Sequence, residues 1–178
     1  MKLIKKAVVC IMLLAALCVC LASCAKAPEL PEEMPPDFAI RYTSQTYTEP
    51  NIYDTCNGLI QKDLMKDGAA QTSFTPSDET LRAIYGKVTE CGIQKITREM
   101  TCSVITRGRE DMRACPNTKY EITITVDGET YTVSGDSTAW SYTDSDKDAR
   151  SFTEFVAFMK ETLADEPAYR SLPDAARW

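Results

Sequence analysis

The run Asp144-x-Asp146-x-Asp148 places three carboxylates at the alternation that opens a calcium-binding loop. Such a loop then needs glycine at its sixth place and a bidentate glutamate at its twelfth. Here those places hold Ala149 and Phe155, with Glu154 one residue early. The spacing therefore reads as a solvated acidic loop leading into a helix, and no metal site is expected. Arg107, Arg109 and Arg113 cluster in "TRGREDMRACP" and could grip a carboxylate or phosphate. Glu110 and Asp111 are interleaved with them, so most of that charge can be satisfied locally. Asp54 and Asp63 could serve as an acid and a base, although no motif selects these two among many carboxylates. Trp140 and Tyr142, with Tyr131 nearby in sequence, could form an aromatic platform for a glycan or peptide, or could cover the core.

The chain contains no histidine. That absence removes the commonest general base at neutral pH, and with it Ser-His-Asp and Cys-His hydrolase chemistry. It also removes imidazole ligands for zinc or copper. No G-x-S-x-G, P-loop or G-x-G-x-x-G sequence occurs, and no cofactor is expected. Twenty Lys and Arg face 26 Asp and Glu, a net charge of −6. Lys2, Lys5 and Lys6 precede residue 24, so loss of residues 1–23 would leave 17 bases against 26 acids, a net −9. Such a surface repels a phosphate backbone, and no nucleic-acid partner is expected.

The elements that must position these residues follow from periodicity and turn chemistry. Phe38–Tyr42 alternates as a half-buried strand does. Ile52-Tyr53 and Gly58–Ile60 are weaker strand candidates around an Asn57-Gly58 turn, and Gln71–Phe74 is a short one beyond the turn at Lys66–Gly68. Thr75 as N-cap and Pro76 as first helical residue predict a helix over 76–90, ended by Gly92. Its Leu81, Ile84, Tyr85 and Val88 form one apolar stripe. A strand over Met100–Thr106 comes next, followed by the charged turn. Tyr120, Ile122, Ile124 and Val126 alternate cleanly, and Asp127-Gly128 predicts a tight hairpin into Glu129–Ser134. Ser151 and Glu154 read as the capping box of a last helix carrying Phe152, Phe155, Val156, Met159 and Leu163. Pro167 prevents its continuation, and Leu172-Pro173 could dock the tail. There is no internal repeat. The order of strands and helices predicts an α+β domain, with an antiparallel sheet covered on one face by two helices.

The amino terminus carries an address. Met1–Lys6 is basic, Ala7–Leu21 is apolar without a charge, and Ala22 and Ser23 are small. Leu21-Ala22-Ser23-Cys24 resembles the lipobox of bacterial lipoproteins. Cys20 is a poorer match, because the branched Val19 precedes it. The resemblance implies that residues 1–23 are a lipoprotein signal peptide, cleaved to leave a diacylglyceryl-modified Cys24 as the first residue. That lipid would hold the chain to the outer face of the cell membrane. Two other readings stand beside it: an uncleaved anchor, since 19 uncharged residues can just cross a bilayer, and simple secretion. Residues 24–37 read as the lipidated cysteine and a proline-rich tether, which could reach ~40 Å at ~3.1 Å per residue. Residues 38–178 would form the single exported domain. In layout this region resembles the small, uncharacterised lipoprotein ectodomains of Gram-positive bacteria, a resemblance that implies no activity.

Of eight cysteines, Cys10, Cys18 and Cys20 fall within the signal and Cys24 is the lipid site. Cys56, Cys91, Cys102 and Cys115 remain, an even number in an oxidising compartment, and disulfides are expected. Four thiols allow three connectivities, between which the sequence does not choose; Cys102–Cys115 would close the charged segment, with Cys56–Cys91 by elimination, and free buried thiols are the alternative. No C-x-x-C spacing favours metal or redox chemistry. The sequence therefore predicts an envelope lipoprotein whose domain is a non-enzymatic binding module. Its partner would be a protein, peptide or glycan, met at a sheet edge or at the Trp140 loop. A carboxylate-dependent envelope hydrolase and a purely structural component are the alternatives.

Overall fold

A computed structural model describes residues 29–107 and 116–176. Cys24, Arg109, Arg113 and Cys115 lie outside the described residues. Six strands form one antiparallel sheet in the order β4-β3-β2-β1-β5-β6. They are β1 (Ala39–Gln45), β2 (Asn51–Asp54), β3 (Leu59–Asp63), β4 (Ala69–Ser73), β5 (Lys119–Val126) and β6 (Glu129–Asp136). Two long helices, α1 (Asp78–Cys91) and α3 (Lys147–Asp165), are joined by two single-turn ones, α2 (Cys102–Ile105) and α4 (Pro167–Arg170). This is the α+β architecture that the element order predicts.

Alternation decides which face of the sheet is covered. Ile40 and Tyr42 of β1, and Tyr120, Ile122, Ile124 and Val126 of β5, point to one side and are buried. Ile84 and Val88 of α1 join them, as do Phe152, Phe155, Val156 and Met159 of α3, in one cluster. Each fully buried side chain of this size contributes about 1.5–3 kcal/mol. The other side of the central strands carries Arg41, Thr43, Thr123, Thr125 and Thr132 and stays partly open to solvent. The hairpin turns match their chemistry: Asp127 and Gly128 both take positive φ, at 51° and 76°.

Three local expectations are corrected. The first long helix is capped by Ser77, whose hydroxyl accepts from the Thr80 N–H, and not by Thr75. The last begins at Lys147, with the Asp146 carboxylate accepting from the Ala149 N–H, so Ser151 sits inside it and is no cap. Met100–Thr106 is not a strand. Only Met100 pairs, forming a parallel bridge with Gly135. Thr101 then caps α2, and the Cys102 N–H turns to the Thr138 hydroxyl at 2.8 Å. Met100 donates to the Ser134 carbonyl and accepts from the Asp136 N–H, at 2.8 and 2.9 Å, and the capping threonine then diverts the chain before the ladder can extend.

The proline-rich stretch meets the domain before residue 38. Leu30 and Met34 pack against the core, and the Tyr85 hydroxyl donates to the Pro31 carbonyl at 2.6 Å. The Asp37 carboxylate accepts from the N–H groups of Asp127 and Gly128 at 3.0 and 2.7 Å, and those bonds, Gly128's foremost, hold its pKa below the usual range. At the other end, the Leu172 carbonyl accepts from Lys62 Nζ at 3.4 Å, docking the tail as expected.

The Met100 crossing explains one glycine. A Cβ at Gly135 would lie 2.6 Å from the Met100 carbonyl oxygen and 2.8 Å from the Phe152 ring. Gly135→Ala is expected to cost about 1–3 kcal/mol in urea unfolding. Gly86 lies in the exposed interior of α1 with open space around it, and Gly86→Ala should stabilise by about 0.5–1 kcal/mol. Equal effects at the two sites would show that the crossing does not constrain the fold.

Candidate functional site

The residues singled out by sequence do not converge on one place. Trp140 lies in a 3-10 turn over Ser137–Tyr142 that follows β6. Hydrogen bonds fix this turn from several sides. The Asp136 carboxylate caps it, accepting from the Thr138 N–H at 2.9 Å and from the Thr138 hydroxyl. Asn117 donates to the same carboxylate at 2.9 Å and accepts from the Ser137 hydroxyl at 2.7 Å. Ala139 is fully buried and pins the turn to the core. Trp140 itself is 38% exposed, with its ring tilted on Tyr120 at 5.7 Å between centroids. Tyr120 in turn packs edge-on against Phe152 at 6.2 Å. The tryptophan thus closes the core with one part of its ring and offers the rest to solvent.

Beside it opens a groove of about 510 Å³. One wall is Trp140 with Tyr120, Ser137 and Thr118; the other is the outward stripe Ala157, Lys160 and Glu161 of α3. Tyr142 and Tyr131 are elsewhere. The Tyr142 hydroxyl lies 3.0 Å from the buried Cys102 sulfur. Tyr131 pairs with Ile124 near the hairpin turn and packs against the core. The partner of Trp140 is therefore Tyr120, which the sequence shows only as an inward-facing strand residue.

The carboxylates separate as well. Asp54 is fully buried on β2, where it accepts from Arg41 at 2.6 Å and from the Asn57 side chain at 2.8 Å. Burial works to raise its pKa, but the Asn57 and Arg41 bonds outweigh it and hold the carboxyl below the usual range. Asp63 accepts from the Met65 N–H at 2.8 Å. Asp54 lies opposite Leu59, and Asp63 is four residues further along β3, roughly 13 Å away at strand spacing. That exceeds the carboxylate separations used in glycoside hydrolysis, about 5–9.5 Å.

The acidic run is more than a solvated loop. Arg98, which the sequence did not mark, binds both Asp146 oxygens at 2.6 and 2.7 Å and reaches Asp148 at 3.2 Å. It clamps the segment after α1 to the start of α3. Burial would raise the Asp146 carboxyl; Arg98 and the Ala149 N–H outweigh it and lower it. Asp144 stays exposed. Among the described residues, no group of three or more His, Cys, Asp or Glu is placed to hold a metal ion. Arg107 ends the α2 segment at φ 56°.

The expected Cys56–Cys91 bridge is absent, and both carry thiols. Cys56 sits exposed in the β2–β3 turn, whose Gly58 carbonyl is bonded by the Phe74 N–H just ahead of α1. Cys91 is the last residue of α1, about 20 Å of helix beyond its start, whereas a disulfide needs Cα atoms within about 7 Å. Burial pushes the Cys91 thiol up to about 11.

No protein-family model matches the chain, and no curated protein sequence matches it.

Two outcomes are expected here. Native-state alkylation followed by mass spectrometry should label Cys56 rapidly and leave Cys91 unmodified until the fold is unfolded, since only thiolates react. Label on both at equal rates would contradict the burial. Asp54 and Asp146 have folded pKa values below 3.8, so their contribution is complete above that pH and is lost as pH falls through their folded values. Asp146→Asn keeps a capping side chain but removes the charge, and should flatten that acid-side decline in urea midpoints. Asp146→Ala should cost about 1 kcal/mol at neutral pH by loss of the cap.

Proposed function

We propose that this chain is a lipoprotein of the cell envelope, lipidated at Cys24, whose domain is a non-enzymatic binding module using the groove beside Trp140. One observation carries the reading. A large aromatic ring is left more than a third exposed, yet its backbone turn is fixed by four side chains and a buried alanine. The covered part of the ring packs on Tyr120, but the exposed part gains nothing from being held in water, whereas a rigid anchor lowers the entropy lost on binding. The apolar segment before Cys24 supports the envelope address. The separation of Asp54 from Asp63, each engaged in its own hydrogen bonds, supports a binding role over a carboxylate-based hydrolase.

The test is a pull-down from envelope extract with the full chain in detergent. Wild type should recover partners that Trp140→Ala loses, while Tyr131→Ala, at the far end of β6, should retain them. Identical recovery by wild type and Trp140→Ala would overturn the reading.

A further inference from the structure

Apart from the Trp140 groove, we infer that the free edge of β6 docks an extended peptide carrying lysine or arginine, which adds a strand to the sheet. β6 is an outer strand, and part of its edge is already used in this way. The Met100 N–H donates to the Ser134 carbonyl, and the Met100 carbonyl accepts from the Asp136 N–H. Ser134 and Asp136 therefore turn these groups outward, away from β5. Alternation along the strand turns the N–H and C=O groups of Thr130 and Thr132 outward as well, while Tyr131, Val133 and Gly135 bond to β5. Thr130 and Thr132 are exposed, and among the described residues no segment pairs with their outward groups. The stretch 129–133 is thus an open lane in line with Met100, about 16 Å long at strand spacing. It holds neither proline nor lysine to block pairing.

Charge selects the occupant. Glu129 stands at one end of the lane and Glu99 at the other, where the chain turns in to Met100. Beside Glu99, on the open face of the sheet, lies a hollow of about 340 Å³ bordered by Glu121, Ser134, Lys119 and Asp136. Lys119 is opposite Asp136 in the ladder, which leaves Glu99 and Glu121 in excess. None of the three glutamates forms an ion pair among the described residues. Residues paired across strands share a face, so the side chain of a peptide residue docked against Thr132 projects onto the open face too. From there a lysine or arginine reaches over the small Ser134 side chain toward the two carboxylates. The main chain supplies affinity and the hollow supplies the choice of side chain. A second copy of the chain would bring the same glutamates against their like, and an acidic peptide would be repelled.

The experiment uses the full chain in detergent and fluorescence anisotropy of a labelled, capped peptide of sequence KTKVKTK, with ETEVETE as its acidic counterpart. The lysine peptide should bind saturably and at least about tenfold tighter than the glutamate peptide, with an affinity that falls as salt rises. Glu99→Gln combined with Glu121→Gln should weaken it about threefold to tenfold with the urea midpoint unchanged. Thr132→Pro removes an outward N–H without touching the β5 ladder, and should abolish binding in a folded chain. That loss would also place the peptide at β6 and not at β4, the other edge of the sheet. Peptides N-methylated at every second residue test the pairing without altering the protein, and decide the matter if Thr132→Pro does not fold. A docked strand turns only alternate N–H groups to its neighbour, so one methylated series should lose binding and the other keep it. Trp140→Ala should leave the affinity unchanged, which separates this site from the groove. Equal binding by the two methylated series, unchanged binding in folded Thr132→Pro, or no binding to a folded chain would each overturn the inference. So would preference for the glutamate peptide, or loss of binding in Trp140→Ala. Self-association with which the lysine peptide competes would give the edge to a second copy and overturn it as well.

Discussion

The pairing of β1 with β5 is the constraint on which the fold rests. Seven residues of β1 meet seven of β5 in continuous antiparallel register, from Ala39 opposite Thr125 to Gln45 opposite Lys119. These strands lie about eighty residues apart in the chain. Their union joins an amino-terminal meander, β1 to β4, to a carboxy-terminal hairpin, β5 and β6, which otherwise share no ladder. A hairpin or short meander alone has too little buried face to be stable. Once joined, Ile40, Tyr42, Ile122 and Ile124 form a continuous apolar floor, and only then do α1 and α3 have a surface on which to bury their stripes. The register tolerates no slip, because a one-residue shift of either strand would send its own two side chains to the solvent face.

The groove inherits its geometry from the same pairing. Tyr120 lies at the start of β5, opposite Ser44, and its ring stacks near that of Tyr42 at 6.4 Å. Trp140 rests on that ring, and Phe152 of α3 closes on it from the side. A sheet residue, a turn residue and a helix residue thus meet at one tyrosine. Arg98 steadies the helix from outside the core by tying Asp146 and Asp148 to the segment following α1.

What the sequence made legible was local. The alternation of Tyr120–Val126, the Asp127-Gly128 turn, the αL stop at Gly92 and the apolar stripes of both long helices are written in neighbouring residues, and each was found in place. Two local readings failed where a distant residue decides. Met100–Thr106 has the composition of a strand, but Thr101 and the remote Thr138 claim its N–H groups. Asp146 looked like part of a free acidic loop because its partner, Arg98, is 48 residues away. The proposed site was half visible. An aromatic in a polar loop after a hairpin marked Trp140, but sequence proximity wrongly grouped it with Tyr142 and Tyr131. Its true neighbours come from another strand and from a helix face whose Ala157, Lys160 and Glu161 look like ordinary solvated positions. The Cys56–Cys91 bridge failed for a related reason: an even count says nothing about whether a helix holds two cysteines apart.

Under the proposed lipidation of Cys24, the docking of residues 30–37 along the domain would shorten the leash. With a lipid at Cys24, only the stretch up to Leu30 is left to bridge bilayer and protein, about 20 Å at full extension, half the reach that the whole proline-rich segment would allow. The chain enters the domain beside Tyr85 and the Asp127-Gly128 turn, while Trp140 stands at the opposite end of β5, about 23 Å along the strand. A domain tethered in this way would hug the lipid surface by one pole and hold its aromatic groove outward at the other, away from the headgroups.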